Sequence, residues 1–234
     1  MLKNVRACLF DFDGTLIHQE IDFGLMKQRV LDIVARWGVP VEEYARLYTL
    51  ELIERVAARL GNENGSSGAA AAADEFAAGQ FAAGEFAAAA HRAIVEVELE
   101  AAERAEVFPG VPEMLRLLRS RGLGVAIVTR NCREAVLQVI GRNDLAHDVL
   151  LTRDDVPFVK PDPRHLLAAL DALRTTGEWA VMCGDHPMDV MAGQSVQART
   201  VGVLPPGESA EYFAAVHPDL VVSQITDILE YLGE

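Results

Sequence analysis

Apolar runs that alternate with helix-length segments constrain this chain more than any other feature. Gly124–Thr129, Val149–Leu151, Trp179–Asp185, Thr200–Leu204 and Leu220–Val222 read as short buried strands. The stretches between them carry helical spacing: Met114, Leu115, Leu117 and Leu118; then Glu134 to Ile140, closed by Gly141; then Pro163 to Leu173; then Asp189 to Ser195; and Ile225 to Leu232 at the end. Strand and helix in alternation predict a parallel sheet with helices on both faces. One further apolar run, Ala7-Cys8-Leu9-Phe10, stands alone near the start and has the texture of a strand covered on both sides.

The segment separating that first strand from the rest is helical in pattern. Met26, Val30, Ile33, Val34 and Trp37 recur at helical spacing before Gly38-Val39-Pro40, and Leu47, Leu50, Leu52, Ile53, Val56 and Leu60 mark a second helix that Gly61-Asn62 is expected to stop. Ala87 to Ala105 predicts a third. Between the second and third lies Gly65-Ser66-Ser67-Gly68, followed by an Ala-rich tract repeating every five residues through Phe76, Phe81 and Phe86. Five residues advance ~140° around a helix, so the three phenylalanines cannot share one stripe. The composition reads as a low-complexity insert near 65–90, with Gly79 and Gly84 each costing a helix about 1 kcal/mol. The expected architecture is one α/β core, residues 1–17 and 108–234, with an all-helical cap domain at 18–107 inserted after the first strand's loop and placed to act as a lid.

Composition narrows the partners. The 234 residues carry 21 Lys and Arg against 35 Asp and Glu, a net charge of −14, which argues against nucleic acid because phosphate backbones are bound by Lys and Arg. The three cysteines, Cys8, Cys132 and Cys183, show no paired spacing and read as buried reduced thiols, the usage of a cytoplasmic protein. The N-terminal apolar run is broken by Asp11 and Asp13, so a signal peptide is not expected, and no apolar stretch reaches the ~18 residues of a membrane helix. The six histidines are scattered without metal-ligand spacing.

Chemistry concentrates where strands end. Asp11 and Asp13 follow the first strand, with Gly14-Thr15 behind them; Thr129-Arg130-Asn131 follows another; Lys160-Pro161-Asp162 precedes a helix; and Gly184-Asp185 closes a fourth segment with Asp189 four residues on. Parallel strands share one carboxyl edge, so these groups are expected at one rim. Two carboxylates that close repel unless a cation or a shared proton intervenes. Taken singly, Thr129 reads as an ordinary strand residue, Lys160 as a surface lysine, Asp162 as a helix cap and Asp189 as a first-turn acid. Together, Asp11-Phe12-Asp13-Gly14-Thr15-Leu16, Thr129, Lys160-Pro161 and Gly184-Asp185-His186-Pro187-Met188-Asp189 resemble the four ordered motifs of the haloacid-dehalogenase-like (HAD) superfamily. Phe108-Pro109-Gly110-Val111 resembles the return linker of its phosphoglycolate-phosphatase-like members.

The resemblance implies a Rossmann-like core and a phosphatase acting on a small phosphorylated metabolite, with phosphoglycolate or a sugar phosphate as the substrate class. It also implies how the residues divide the work. Asp11 would be the nucleophile, Asp13 the general acid and then base, and Lys160 the counter-charge that keeps Asp11 ionised. Thr129, Arg130 and the turn at Gly14 would meet the phosphate. Magnesium (Mg2+) would sit on Asp11, the Asp13 backbone carbonyl and Asp185, with Asp189 in support. Asp13 speaks against the dehalogenase branch, which lacks the second aspartate. A phosphomutase of the β-phosphoglucomutase type keeps both aspartates, and a non-catalytic interaction protein is the reading from a different class, drawn from the Ala/Phe/Gly insert. A monomer or homodimer without membrane or nucleic-acid partners is expected.

Overall fold

The computed structural model describes residues 2–63 and 72–233, the side chains of 63 and 72–78 apart. The Gly65–Gly68 run and the start of the Ala-rich tract lie outside the described residues. The chain divides into two compact units, residues 1–20 with 102–234 and residues 21–101.

The first unit is built on a six-stranded sheet: β1 (Ala7–Phe10), β4 (Gly124–Val128), β5 (Val149–Leu151), β6 (Ala180–Gly184), β7 (Arg199–Val203) and β8 (Leu220–Val222). Its order is β5-β4-β1-β6-β7-β8 and every pairing is parallel. The lone N-terminal run thus takes the centre of the sheet, which explains its unbroken burial. The connecting helices are α4 (Val111–Ser120), α5 (Arg133–Asn143), α6 (Pro163–Ala172), α7 (Pro187–Ser195) and the short α8 (Ile228–Tyr231). One core layer joins Leu9, Ala126, Val128 and Met182 on the sheet to Leu166, Ala169, Leu170 and Ala192 on helices. A two-residue pair, β2 (Ile17–His18) against β3 (Glu106–Val107), runs antiparallel where the chain leaves and re-enters this unit, and no sequence pattern announced it. Two-residue strands are too short to show any period. His18 packs its ring against Phe108 at 6.3 Å there.

The second unit is helical: α1 (Phe23–Arg36), α2 (Thr49–Glu63) and α3 (Ala72–Arg104), whose last turn enters the first unit. Asp22 caps α1 by accepting from the Leu25 N–H at 2.8 Å. Its core gathers Met26, Val30, Val34, Leu52, Ile53, Val56, Phe86, Ala90 and Ile94. Two glycine stops expected from sequence are not stops. The second helix runs through Gly61, which is buried where a Cβ would lie 3.4 Å from the Gln80 amide of α3, so the residue serves close approach of two helices. Likewise α5 runs through Gly141 and ends at Asp144, which takes the left-handed conformation at φ 47°. The repeat is part of one 33-residue helix. Phe86 is fully buried, edge-on to Trp37 at 6.1 Å, whereas Phe81 is 71% exposed, as the five-residue step requires. No helix among the described residues is long and apolar enough to cross a membrane.

Candidate active site

The register of β1 brings the site together. Phe10 stands opposite Ile127 of β4 on one side and Cys183 of β6 on the other, so the residues just beyond these pairs emerge side by side. The Asp11 N–H donates to the Cys183 carbonyl at 2.9 Å, extending the ladder by one step. Asp11, Thr129 and Asp185 therefore leave three adjacent strands at the same edge.

Lys160 reaches this edge from the segment between β5 and α6 and is 1% exposed. Its Nζ lies 2.7 Å from Asp11 Oδ1 and 2.7 Å from Asp189 Oδ1. Burial opposes the ammonium charge, but Asp11 and then Asp189 outweigh it and raise Lys160 above its usual value. Beneath it the buried His165 accepts the Lys160 N–H on Nδ1 at 3.3 Å. Burial, and next the Lys160 charge, lower that imidazole to about 4, so it stays neutral against the ammonium.

Asp189 is fixed by the start of α7. His186 is the cap, accepting the Met188 N–H on Nδ1, and Asp189 Oδ2 accepts the His186 N–H at 3.1 Å in return. Pro187 in the first helical position completes the signal. Both Asp189 oxygens are thus engaged. Burial raises its carboxyl above the usual carboxylate range against the pull of Lys160.

Asp185 has a different environment. One carboxylate oxygen from each of Asp11, Asp185 and Asp189 lies within 4.8 Å of the others. Burial, then the Asp11 and Asp189 charges, push the Asp185 carboxyl up to about 8. The Thr15 hydroxyl, itself buried, donates to Asp185 Oδ1 at 3.4 Å. Three converging carboxylates form an all-oxygen donor set, the ligand chemistry of a hard divalent cation.

Gly14 makes room for this group. Its φ is +78°, and a Cβ there would meet the Asp185 carboxylate, whose Cγ would be 2.6 Å away. Gly14→Ala is expected to cut kcat on p-nitrophenyl phosphate by roughly 100-fold, as a catalytic group misplaced by about 1 Å does, with the far-UV circular dichroism of the native fold retained. Activity within a few-fold of the parent would show that Asp185 has slack the geometry denies it.

Asp13 is turned elsewhere. Its carboxylate accepts from Asn131 Nδ2 at 3.1 Å on Oδ1 and 3.2 Å on Oδ2, and from Thr129 Oγ1 at 3.3 Å on Oδ2. The Asp13 side chain is therefore outside the acidic trio, and the Thr129 hydroxyl faces Asp13. Arg130 is half-buried at the rim, with Nη1 3.0 Å from Met188 Sδ. After burial it is the chief influence holding the His186 imidazole below its usual value. Asp162 is a helix cap, accepting the Arg164 N–H at 2.9 Å. From sequence, Asn131 is a strand-end residue without a role, and His165 carries no signal at all. Asn131 had a visible signal, an amide two residues past a strand-end threonine, whereas a lone histidine inside α6 offers none. The three cysteines are free and buried, and burial alone lifts Cys8 to about 12.

Pyrophosphatase PpaX of Bacillus cereus (strain G9842) is 35% identical over 134 residues, 56% of this chain and 62% of that protein. The similarity thus spans less than two thirds of that relative's length. A hydrolase from Pseudomonas syringae shares the fold with a TM-score of 0.65 at 20% identity, covering 97% of each chain. A HAD phosphatase from Thermococcus onnurineus does so with a TM-score of 0.60 at 22% identity, again over 97% of each. The family model for haloacid dehalogenase-like hydrolases matches residues 5–197, a span that holds every strand-end group from Asp11 to Asp189, and the chain belongs to that family.

Proposed function

We propose that this chain is a magnesium-dependent phosphatase that hydrolyses a small phosphomonoester through an aspartyl-phosphate on Asp11. The observation that carries the reading is the split between its two first aspartates. Asp11 touches the buried Lys160 ammonium at 2.7 Å, which suits an anionic nucleophile. Asp13 is held by amide and hydroxyl donors on a neighbouring strand end, which suits a group that must point at the leaving oxygen.

A phosphate ester resists attack because its oxygens are anionic. An Asp11 oxygen attacks phosphorus in line, the P–O ester bond breaks, and Asp13 gives a proton to the departing alkoxide. Asp13 then takes a proton from water as that water attacks the phosphorus of the acyl phosphate, releasing inorganic phosphate and restoring Asp11. Thr129, Arg130 and the turn at Gly14 are assigned to the phosphoryl oxygens, with the Thr129 hydroxyl swinging from Asp13 to the ligand. Asp11 and Asp185, with the Asp13 carbonyl, would hold Mg2+, which when bound neutralises phosphoryl charge. Asp189, with both oxygens already engaged, is assigned to supporting Lys160.

Phosphoglycolate and sugar phosphates are the proposed substrate class, and the activity named for the Bacillus cereus relative adds inorganic pyrophosphate to the substances worth testing. We assign the protein to the cytoplasm on its buried free thiols, with a small phosphorylated metabolite as its partner. Phosphate release from p-nitrophenyl phosphate is expected with Mg2+ and is expected to fall at least ~100-fold when EDTA removes the ion, given the several kcal/mol a metal contributes to phosphoryl charge. Comparison of kcat/KM across 2-phosphoglycolate, glucose 1-phosphate, glucose 6-phosphate and pyrophosphate then ranks the substrates. Turnover indifferent to the chelator would sink the mechanism.

A further inference from the structure

Asn131 is 3% exposed and spends its whole side chain at the site. Its Oδ1 accepts the Cys132 N–H at 2.8 Å, which turns the NH2 group towards Asp13 and places it against both carboxylate oxygens. Its backbone is pinned as well. The Asn131 N–H donates to Thr129 Oγ1 at 3.1 Å, and its carbonyl accepts the Arg153 N–H at 3.3 Å. Arg153 is itself buried and donates from Nη1 to the Arg130 carbonyl at 3.1 Å. A residue anchored at three points, one through its side-chain oxygen and two through its backbone, can hold another side chain in one orientation.

We infer that Asn131 is a positioning residue for the proton transfer by Asp13, an inference that rests on the reading of Asp13 as acid and base. Asp13 lies three residues past the end of β1 and has a short side chain with two rotatable bonds. Its contacts on Oδ1 and Oδ2 fix the plane of the carboxyl group and hence the direction in which a proton is delivered. Misplacement of a catalytic group by about 1 Å can cost 100-fold. The cost falls only where a proton is needed. A poor leaving group such as phenoxide departs with the proton, whereas 2,4-dinitrophenoxide departs as the anion. A residue that merely holds the loop after β4 in place has no reason to distinguish the two.

The test is kcat/KM for phenyl phosphate and for 2,4-dinitrophenyl phosphate, because this constant reports steps up to departure of the leaving group and not the later hydrolysis. Asn131→Leu keeps most of the side-chain volume without the amide and adds no charge; Asn131→Ala removes volume and amide together. In each, phenyl phosphate turnover is expected to fall ~10- to 100-fold, within the range general acid catalysis supplies, and dinitrophenyl phosphate turnover to change less than about threefold. The ratio of the two constants is independent of how much of a variant is folded. Asp13→Asn is the reference. If it lowers both probes equally, the acid reading of Asp13 falls and takes the inference with it. If it is selective for phenyl phosphate while the Asn131 variants lower both equally, or neither, the role of Asn131 is overturned and the reading of Asp13 stands.

Discussion

Asp11→Asn is expected to lower kcat on p-nitrophenyl phosphate by roughly 10⁴-fold or more, the scale on which removing a nucleophile acts, without loss of the fold. An amide in place of the carboxylate keeps the shape of the strand tip but cannot attack phosphorus. Lys160 retains Asp189 at 2.7 Å, so the ammonium is not stranded. The substitution also removes one of three carboxylates that converge within 4.8 Å, so the metal-free protein is expected to melt no lower than the parent. Steady-state kinetics and a melting curve check both halves. A loss under tenfold would move the nucleophile elsewhere.

Lys160→Met is expected to act on stability as well as on activity. Lys160 is buried to 1% exposure and is the cation shared by Asp11 and Asp189, whose side chains are 14% and 3% exposed. Removing one partner of a buried ion pair leaves uncompensated charge and costs about 3–5 kcal/mol. Here the stranded charges also face Asp185. Urea unfolding in EDTA should show the loss, and Asp189→Asn added to Lys160→Met should restore part of it by removing one stranded carboxylate. Activity should vanish in both variants, since Asp11 loses its counter-charge. A loss of stability under about 1 kcal/mol, the range of an exposed pair, would show that the cluster is better hydrated than its burial implies.

Much of the core could be read before the structure because strands buried on both faces announce themselves. Ala7–Phe10 and Ala180–Gly184 are unbroken apolar runs, and polar groups placed at the ends of such runs have few roles in a parallel sheet other than lining its carboxyl edge. Where reading failed, the deciding contact was distant in sequence. Gly61 looks like a helix stop until Gln80 of the next helix is seen beside it, and Gly141 looks like one until Asp144 takes the left-handed position. The five-residue repeat ruled out a single phenylalanine stripe, and the opposite burial of Phe81 and Phe86 follows from that, but α3 runs on through Gly79 and Gly84 against their propensity. Within the site, the resemblance implied the contact of Lys160 with Asp11, which the structure shows at 2.7 Å, but it did not give the partners of the Asp13 side chain. That Thr129 faces Asp13, and that Asn131 joins it, depends on side-chain directions at the ends of β1 and β4.

The covalent intermediate is the centre of the account, and borohydride trapping measures it most directly. Protein turning over p-nitrophenyl phosphate with Mg2+ is quenched, reduced and digested, and the peptide carrying residues 11 and 13 is sequenced by mass spectrometry. An acyl phosphate is reduced to an alcohol, so homoserine is expected at position 11, only in the presence of substrate, and not in Asp11→Asn. Homoserine at position 13 or elsewhere, or an unmodified peptide from an enzyme sampled during steady turnover, would contradict it.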